Sequence, residues 1–198
     1  MLAAGLIGSA CGKNSERVSG NVGPVNGTTT TSTSAPSPSP SSASNIAYEP
    51  YSYDSSQGNT SGTSVTLDVP QGWDETSSLS RRDYRNSART MLFRLDFSRP
   101  ANGSAIGNWQ AVETEFDNSH EAYKRIALHS VDCPSGALDC ADWEFSFVET
   151  GVTRHVIDRG IVVNQDLGFA VYVSAPEAQF PEMKQIFQHT IASLKIGG

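Results

Sequence analysis

The sequence lacks a long apolar run, an excess of positive charge and a dense set of charged residues, and these absences exclude several classes of protein. No stretch of about 18 consecutive apolar residues occurs, so the sequence predicts no transmembrane helix. The chain has 198 residues, with 14 Lys and Arg against 21 Asp and Glu, for a formal net charge of −7 at pH 7. Because nucleic-acid binding draws its affinity from clustered basic residues, we expect no nucleic-acid partner.

Catalytic and metal-binding motifs are absent as well. The sequence has no Gly-x-Ser-x-Gly elbow of serine hydrolases and no His-Arg-Asp or Asp-Phe-Gly motif of protein kinases. The histidines are not spaced like a zinc pair on a helix: His120, His129, His155 and His189. We therefore expect a non-catalytic protein without metal or cofactor. Hydrolysis by His155 together with Asp158 is the weaker alternative.

Charged residues make up only 18% of the chain, because the first third is built from Gly, Ser, Thr, Pro and Asn. Residues 12–62 lack the apolar side chains that offset the entropy of ordering, so they predict a disordered linker. Alternating Pro and Ser at residues 36–41 favour an extended polyproline conformation, typical of a stalk that can be O-glycosylated. The remainder, residues 63–198, has the size of one globular domain.

Residues 1–11 are apolar, then small, and end at Cys11. This order resembles the end of a bacterial lipoprotein signal peptide, whose cysteine is lipidated and becomes the mature N-terminus. Gly8 stands where such signals usually have Leu or Val, and no Lys or Arg precedes the apolar residues, so we expect the true start to lie upstream. The resemblance predicts lipidation of Cys11 and anchoring to the outer face of the cell membrane. The alternative is an ordinary secretion signal, in which Cys11 is removed or stays unmodified.

Cys133 and Cys140 bracket six residues that include Pro134 and Gly136, so a tight turn can bring the two sulfur atoms together. In an exported protein a disulfide is the expected state of such a pair. Closing this loop should contribute about 2 kcal/mol to stability. A metal site is the alternative, but no second pair of Cys or His has suitable spacing.

Alternating apolar and polar residues after residue 62 predict a series of β-strands. Trp143, Phe145 and Phe147 point to one face of a strand, which returns over residues 152–163 and again over residues 169–173 as an antiparallel meander. Further strands are predicted over residues 65–69, 81–84, 90–97 and 122–130.

Two segments have the apolar spacing of a helix. The first has Asn108 as its N-cap and runs to about Phe116. The second follows Pro176 and presents an apolar face of Phe180, Met183, Phe187, Ile191 and Leu194. The sequence therefore predicts an α+β fold, in which the two helices pack on an antiparallel sheet.

Three side chains on predicted strands are candidates either for a ligand site or for structural pairing: Trp143, His155 and Arg159. An Arg159 close to Asp158 or Glu144 is compatible with a buried ion pair, and equally with an anion-reading group in a pocket. We favour the structural role because buried charges usually have partners. Trp143 has apolar neighbours, which favours a place in the core over the wall of a cleft.

Several short blocks occur in a characteristic order: Tyr123-Lys124-Arg125-Ile126, Val131-Asp132-Cys133-Pro134, Ala141-Asp142-Trp143-Glu144-Phe145, Arg154-His155-Val156, Asp158-Arg159-Gly160 and Gly168-Phe169-Ala170-Val171-Tyr172. In this order they resemble the extracytoplasmic C-terminal domain of many actinobacterial serine/threonine protein kinases and of stand-alone lipoproteins. The resemblance covers residues 65–194. It implies a PsbP/Mog-type α/β/α sandwich, also seen in LpqN-type mycobacterial lipoproteins.

Together these features predict a non-catalytic, membrane-tethered binding or sensor module of the cell envelope. The expected partner is a small apolar or envelope ligand, or an envelope protein, and the lipid anchor provides contact with the membrane. The alternative is a sensor or accessory partner in serine/threonine kinase signalling or in an envelope complex.

Overall fold

The computed structural model describes residues 46–54, 62–98 and 103–197. In chain order these residues form β1 (Tyr48–Asp54), β2 (Ser64–Pro70), β3 (Asp74–Ser77), β4 (Arg81–Arg85), β5 (Leu92–Ser98), α1 (Ala105–Ser119), β6 (Glu121–Ser130), β7 (Asp139–Glu149), β8 (Val152–Val162), β9 (Gly168–Pro176), a 3-10 turn (Glu177–Gln179), α2 (Phe180–Ser193) and β10 (Lys195–Gly197).

Seven strands form one antiparallel sheet in the order β3-β4-β5-β9-β8-β7-β6. Its centre is the predicted meander, since β7 pairs with β8 and β8 with β9. The strand predicted over residues 90–97, observed as β5, completes the centre by pairing with β9. A second antiparallel sheet has the order β1-β2-β10.

Helices cover both faces of the large sheet. On one face, Phe93 of β5 and Val171 of β9 pack with Met183 of α2 and with β2. On the other face, Trp109 of α1 packs against Phe145 of β7. The α+β prediction and the sandwich implied by the resemblance are therefore confirmed.

The structure differs from the predicted linker at residues 48–54. These residues fall within the segment 12–62, yet they form β1 and pair along their whole length with β2. Tyr53 stacks on Phe97, with ring centroids 3.9 Å apart. This aromatic contact helps to offset the entropy lost when the segment is ordered, although the neighbouring sequence is polar. The prediction of a disordered linker is therefore wrong for residues 48–54. Cys11 and most of the predicted linker lie outside the described residues.

The first helix begins about one turn before the predicted N-cap Asn108. The hydroxyl of Ser104 accepts a hydrogen bond from the Gly107 N–H (3.3 Å), and a carboxylate oxygen of Asp139 accepts one from the Ala105 N–H (2.8 Å). Serine is as good an N-cap as asparagine, so the local sequence could not distinguish a helix start at Ser104 from one at Asn108. The contact with Asp139 favours Ser104, but it forms only in the folded domain. No helix in the described ranges is long and apolar enough to cross a membrane.

Cys133 and Cys140 form a disulfide, with their Cα atoms 5.5 Å apart. The Val131 N–H donates a hydrogen bond to the Cys140 carbonyl (3.0 Å), which closes the corner from β6 into β7. Gly136 has a φ of 92°, which favours glycine, and a Cβ there would lie 3.0 Å from Ile196 of β10. The predicted disulfide corner is therefore confirmed.

Candidate functional site

The structure places the three predicted site residues on two faces of the sheet. Trp143 of β7 belongs to the core under α1. His155 and Arg159 of β8 face α2, where they contact Phe180 and Phe187 respectively. These three side chains therefore do not line a common pocket.

His155 is held between two strands and the start of α2. Its ring stacks on Phe180, with centroids 3.5 Å apart and an angle of 5° between the ring planes. Its Nε2 lies 2.8 Å from Glu144 Oε1, and its Nδ1 lies 3.1 Å from Glu177 Oε2. Both ring nitrogens thus have a carboxylate partner. The imidazole links β7, β8 and the turn that precedes α2.

The structure does not bring together the pair considered for hydrolysis, His155 and Asp158. Successive side chains of a strand alternate between its faces, so these two point in opposite directions. Asp158 lies in register between Trp143 and Tyr172, on the face that α1 covers in part. The sheet itself separates the imidazole from this carboxyl.

Arg159 pairs with Asp142, which is neither of the two partners considered from the sequence. Its Nε and Nη2 donate hydrogen bonds to the two carboxylate oxygens, at 2.6 and 2.7 Å, and its guanidinium lies 5.2 Å from the Phe187 ring centroid. Asp142 is directly opposite Arg159 in the register of β7 and β8. That register follows from the two-residue turn at Thr150 and Gly151, whose φ angles are 50° and 78°.

Trp143 begins a polar network between the sheet and α1. Its Nε1 donates to the Tyr123 hydroxyl (3.1 Å), which donates in turn to Glu113, and Arg125 also donates to Glu113 (2.9 Å). Burial, followed by the hydrogen bond to Glu113, raises the pKa of Tyr123. An open polar depression of about 400 Å³ lies here, lined by Glu113, Thr114, Asp117, Tyr123 and Arg125. Three of the five lining side chains, Glu113, Tyr123 and Arg125, are therefore already engaged in hydrogen bonds with one another.

A row of polar residues that lie outside the predicted site crosses the same face of the sheet. In register across β4, β5, β9 and β8 it consists of Asp83, Arg94, Tyr172 and Asp158. Arg94 donates to both carboxylate oxygens of Asp83, at 2.6 and 2.8 Å, and its guanidinium lies 5.4 Å from the Tyr172 ring centroid. Burial raises the pKa of Asp83, but the hydrogen bonds to Arg94 together with the positive charges of Arg94, Arg81 and Arg85 outweigh it, so the pKa is lowered.

Asp158 is the least compensated member of this row. Its Oδ1 is buried, and no group of the described residues hydrogen-bonds to it. Burial is the main cause that raises the pKa of Asp158 to about 7, and the nearby Asp96 and Asp142 carboxylates raise it further against the attraction of Arg94. The carboxyl therefore exchanges a proton near neutral pH.

Arg154 is a second buried charge on this face, and its residue is 8% exposed. Its guanidinium donates to the Ser174 hydroxyl (3.1 Å), the Ser174 carbonyl (3.0 Å) and the Thr90 carbonyl (2.6 Å). All three acceptors are neutral. Burial lowers the pKa of Arg154, although the Glu149 carboxylate, 3.7 Å from its Nε, acts in the opposite direction.

The sequence did contain a signal for this polar face. Arg94 and Asp96 alternate with Phe93 and Leu95 on a central strand, so one face of β5 is apolar and the other is charged. Charges at regular positions of a central strand indicate a polar surface whose members must pair with one another or with a ligand. Neither on this face nor anywhere else in the described ranges do three or more His, Cys, Asp or Glu residues form a group that could hold a metal ion.

The described residues form an antiparallel sheet between helices, with a disulfide corner and polar groups paired across the strands. The family model described as "Serine/threonine kinase C-terminal domain" matches residues 59–196. The chain therefore belongs to the serine/threonine kinase C-terminal domain family. No curated protein matches the chain.

Two solved structures share the fold. The crystal structure of LpqN from Mycobacterium tuberculosis, described as involved in cell envelope biogenesis, superposes with a TM-score of 0.55 and 11% identity over 76% of this chain and 92% of LpqN. The solution structure of cyanobacterial PsbP from Synechocystis sp. PCC 6803 gives a TM-score of 0.55 and 12% identity over 81% of this chain and 100% of that protein. At 11% and 12% identity, this similarity shows a shared fold and nothing more.

Proposed function

We propose that this chain is a non-catalytic binding or sensor module that works outside the cytoplasm. In this proposal, lipidated Cys11 anchors the chain to the outer face of the cell membrane, and the polar linker holds the domain away from the surface. Its partner is a small apolar or envelope ligand, or an envelope protein.

The observation that carries the proposal is the disulfide between Cys133 and Cys140 in a domain of this family. Disulfides persist in oxidising compartments and are rare in the cytosol of most cells. The role of LpqN in cell envelope biogenesis supports the same location for a shared fold. The pairing of His155 with two glutamates and of Arg159 with Asp142 supports a structural role for these groups rather than a catalytic one.

The anchor is tested by metabolic labelling of the full chain in its host with a palmitate analogue. We expect label and membrane association in the unmodified chain, and loss of both in Cys11→Ser. The variant with both Cys133→Ser and Cys140→Ser serves as the control, because it removes the other two cysteines and keeps Cys11. Soluble secretion of both the unmodified chain and Cys11→Ser, with no label on either, would overturn the anchor.

A second candidate role, as a sensor or accessory partner of a kinase, is favoured by the family to which the chain belongs. Cross-linking in intact cells, followed by affinity recovery from membranes, tests it. We expect a serine/threonine kinase or another envelope protein to be enriched over a mock recovery. Recovery of no signalling or envelope protein would count against this role.

A further inference from the structure

Two arginines lie on the same face of the sheet, at the corner formed by the β4–β5 turn and the start of β8. Arg85 is directly opposite Leu92, and Leu92 is directly opposite Ser174, so the three residues share a face. Arg154 reaches the same row from β8, because its guanidinium bonds Ser174 and the carbonyl of Thr90. The row thus has a cation on each side of the buried Leu92.

Within the described residues, no acidic group near this corner hydrogen-bonds to either cation. Glu149 is 62% exposed, and its carboxylate lies 3.7 Å from Arg154 Nε, beyond hydrogen-bond distance. Asp74 is opposite Arg85 in the register of β3 and β4, but no ion pair within 4.0 Å joins the two in the described part of the chain. Arg85 instead adds to the positive potential at Arg154 and lowers its pKa further.

The corner is also outside the area that α1 covers. That helix packs over β6, β7 and β8, while α2 lies on the opposite face against β9 and β2. Among the described elements, no helix lies over β4 and β5 on this side of the sheet. A ligand can therefore approach Arg85, which is partly exposed, from solvent.

We infer that Arg85 and Arg154 form an oxyanion-binding site above Leu92, for a ligand that carries a phosphate or a carboxylate group. A guanidinium presents a planar fork of N–H donors that matches both groups. Arg154 donates its three hydrogen bonds to neutral oxygens, and its nearest carboxylate, Glu149, is 62% exposed and 3.7 Å away, so an anion bound at this corner would compete with a weak ion pair only. The Ser174 hydroxyl adjoins the site. This inference deepens the binding role proposed above, and rests on it.

The test is an NMR titration of the full chain with inorganic phosphate and, separately, with acetate, at constant ionic strength set by sodium chloride. We expect saturable shifts of the amide signals of Thr90, Leu92 and Ser174. Replacing the exposed cation, Arg85→Gln, should weaken binding about tenfold, because a charge-assisted hydrogen bond is lost. The tighter of the two anions identifies the chemical class of the ligand.

Arg125→Gln provides the matched control, since it removes an exposed arginine at the far edge of the sheet, and we expect unchanged affinity. Arg154→Lys keeps the buried charge but loses the fork, and should also weaken binding in a folded chain. Shifts that do not saturate, or equal affinity in Arg85→Gln, would overturn the site. If the chain binds neither anion but Cys11 is labelled with palmitate, the oxyanion site is overturned and the proposed membrane-anchored module is not. If the chain binds phosphate but Cys11 is not labelled, only the anchor is overturned.

Discussion

Arg159 and Asp142 face each other across β7 and β8, and both carboxylate oxygens accept a hydrogen bond from the guanidinium, at 2.6 and 2.7 Å. The two side chains are each 14% exposed. Since the guanidinium also lies against Phe187, the pair joins the centre of the sheet to α2. It is a structural contact of the central hairpin.

Replacing Asp142 by Asn should destabilise the domain by about 3 kcal/mol, because it leaves a largely buried guanidinium without its carboxylate. Denaturant unfolding measures the change. Glu75→Gln is the control, because Glu75 is 47% exposed where it pairs with Arg82, and the loss there should stay below about 1 kcal/mol. Equal losses in the two variants would contradict the structural role of the Asp142 pair.

Asp158 should make the stability of the domain depend on pH. Its pKa is raised from the ordinary 3.8 to about 7 in the folded state, mainly by burial. The folded state therefore holds a proton that the unfolded state releases, so this stabilising contribution is complete below pH 3.8 and is lost as the pH rises to about 7. The shift corresponds to a loss of about 4 kcal/mol.

We expect Asp158→Asn to remove most of this decline when the free energy of unfolding is compared between about pH 4 and about pH 8. Asp166→Asn, in the exposed β8–β9 turn, should leave the decline unchanged. A parallel decline in the unmodified chain and in Asp158→Asn would show that another group is responsible.

The disulfide should contribute about 2 kcal/mol to stability, because it closes a short loop in the unfolded chain. Replacing both Cys133 and Cys140 by Ser should lower the free energy of unfolding by this amount. Titration of the folded Cys11→Ser chain with a thiol reagent checks the bond directly, and we expect no reactive thiol. Two titratable thiols in that chain would contradict the disulfide.

Gly160 lets α1 approach the sheet, because a Cβ at this position would lie 3.0 Å from the ring of Trp109. Gly160→Ala should therefore destabilise the domain by about 1–3 kcal/mol and change the fluorescence of Trp109. The control is Gly107→Ala on α1 itself, where the nearest atoms lie at 3.5 Å and the change should be neutral or stabilising. A Gly160→Ala variant with unchanged stability and unchanged fluorescence would contradict the close packing of α1.

Much of the fold was predictable from the alternation of side chains along the strands. The alternation in β5, β7 and β9 identified strands with a buried face, but it did not reveal that Trp143 and His155 lie on opposite faces of the sheet. The missing elements depend on distant partners. β10 has three residues that pair only with β2, and all four residues of β3 are exposed, so neither carries an apolar pattern.

The pairings within the sites were harder to predict, because strand register selects the partners. Arg159 has charged residues at several nearby positions, and only the two-residue turn at Thr150 and Gly151 places Asp142 opposite it. The surroundings of Asp158 and Arg154 could not be predicted for a related reason. They depend on the pairing of β8 with β9 and of β9 with β5, and these strands come from distant parts of the chain.

The proposed function requires that the chain bind a partner outside the cytoplasm without changing it chemically. Native mass spectrometry of the full chain, isolated from the envelope of its host with the disulfide intact, tests this most directly. We expect a non-covalently bound molecule or protein that is displaced by inorganic phosphate or acetate and is recovered with its mass unchanged after prolonged incubation. Isolation of the bare chain alone, or conversion of the bound molecule to a product, would contradict the claim.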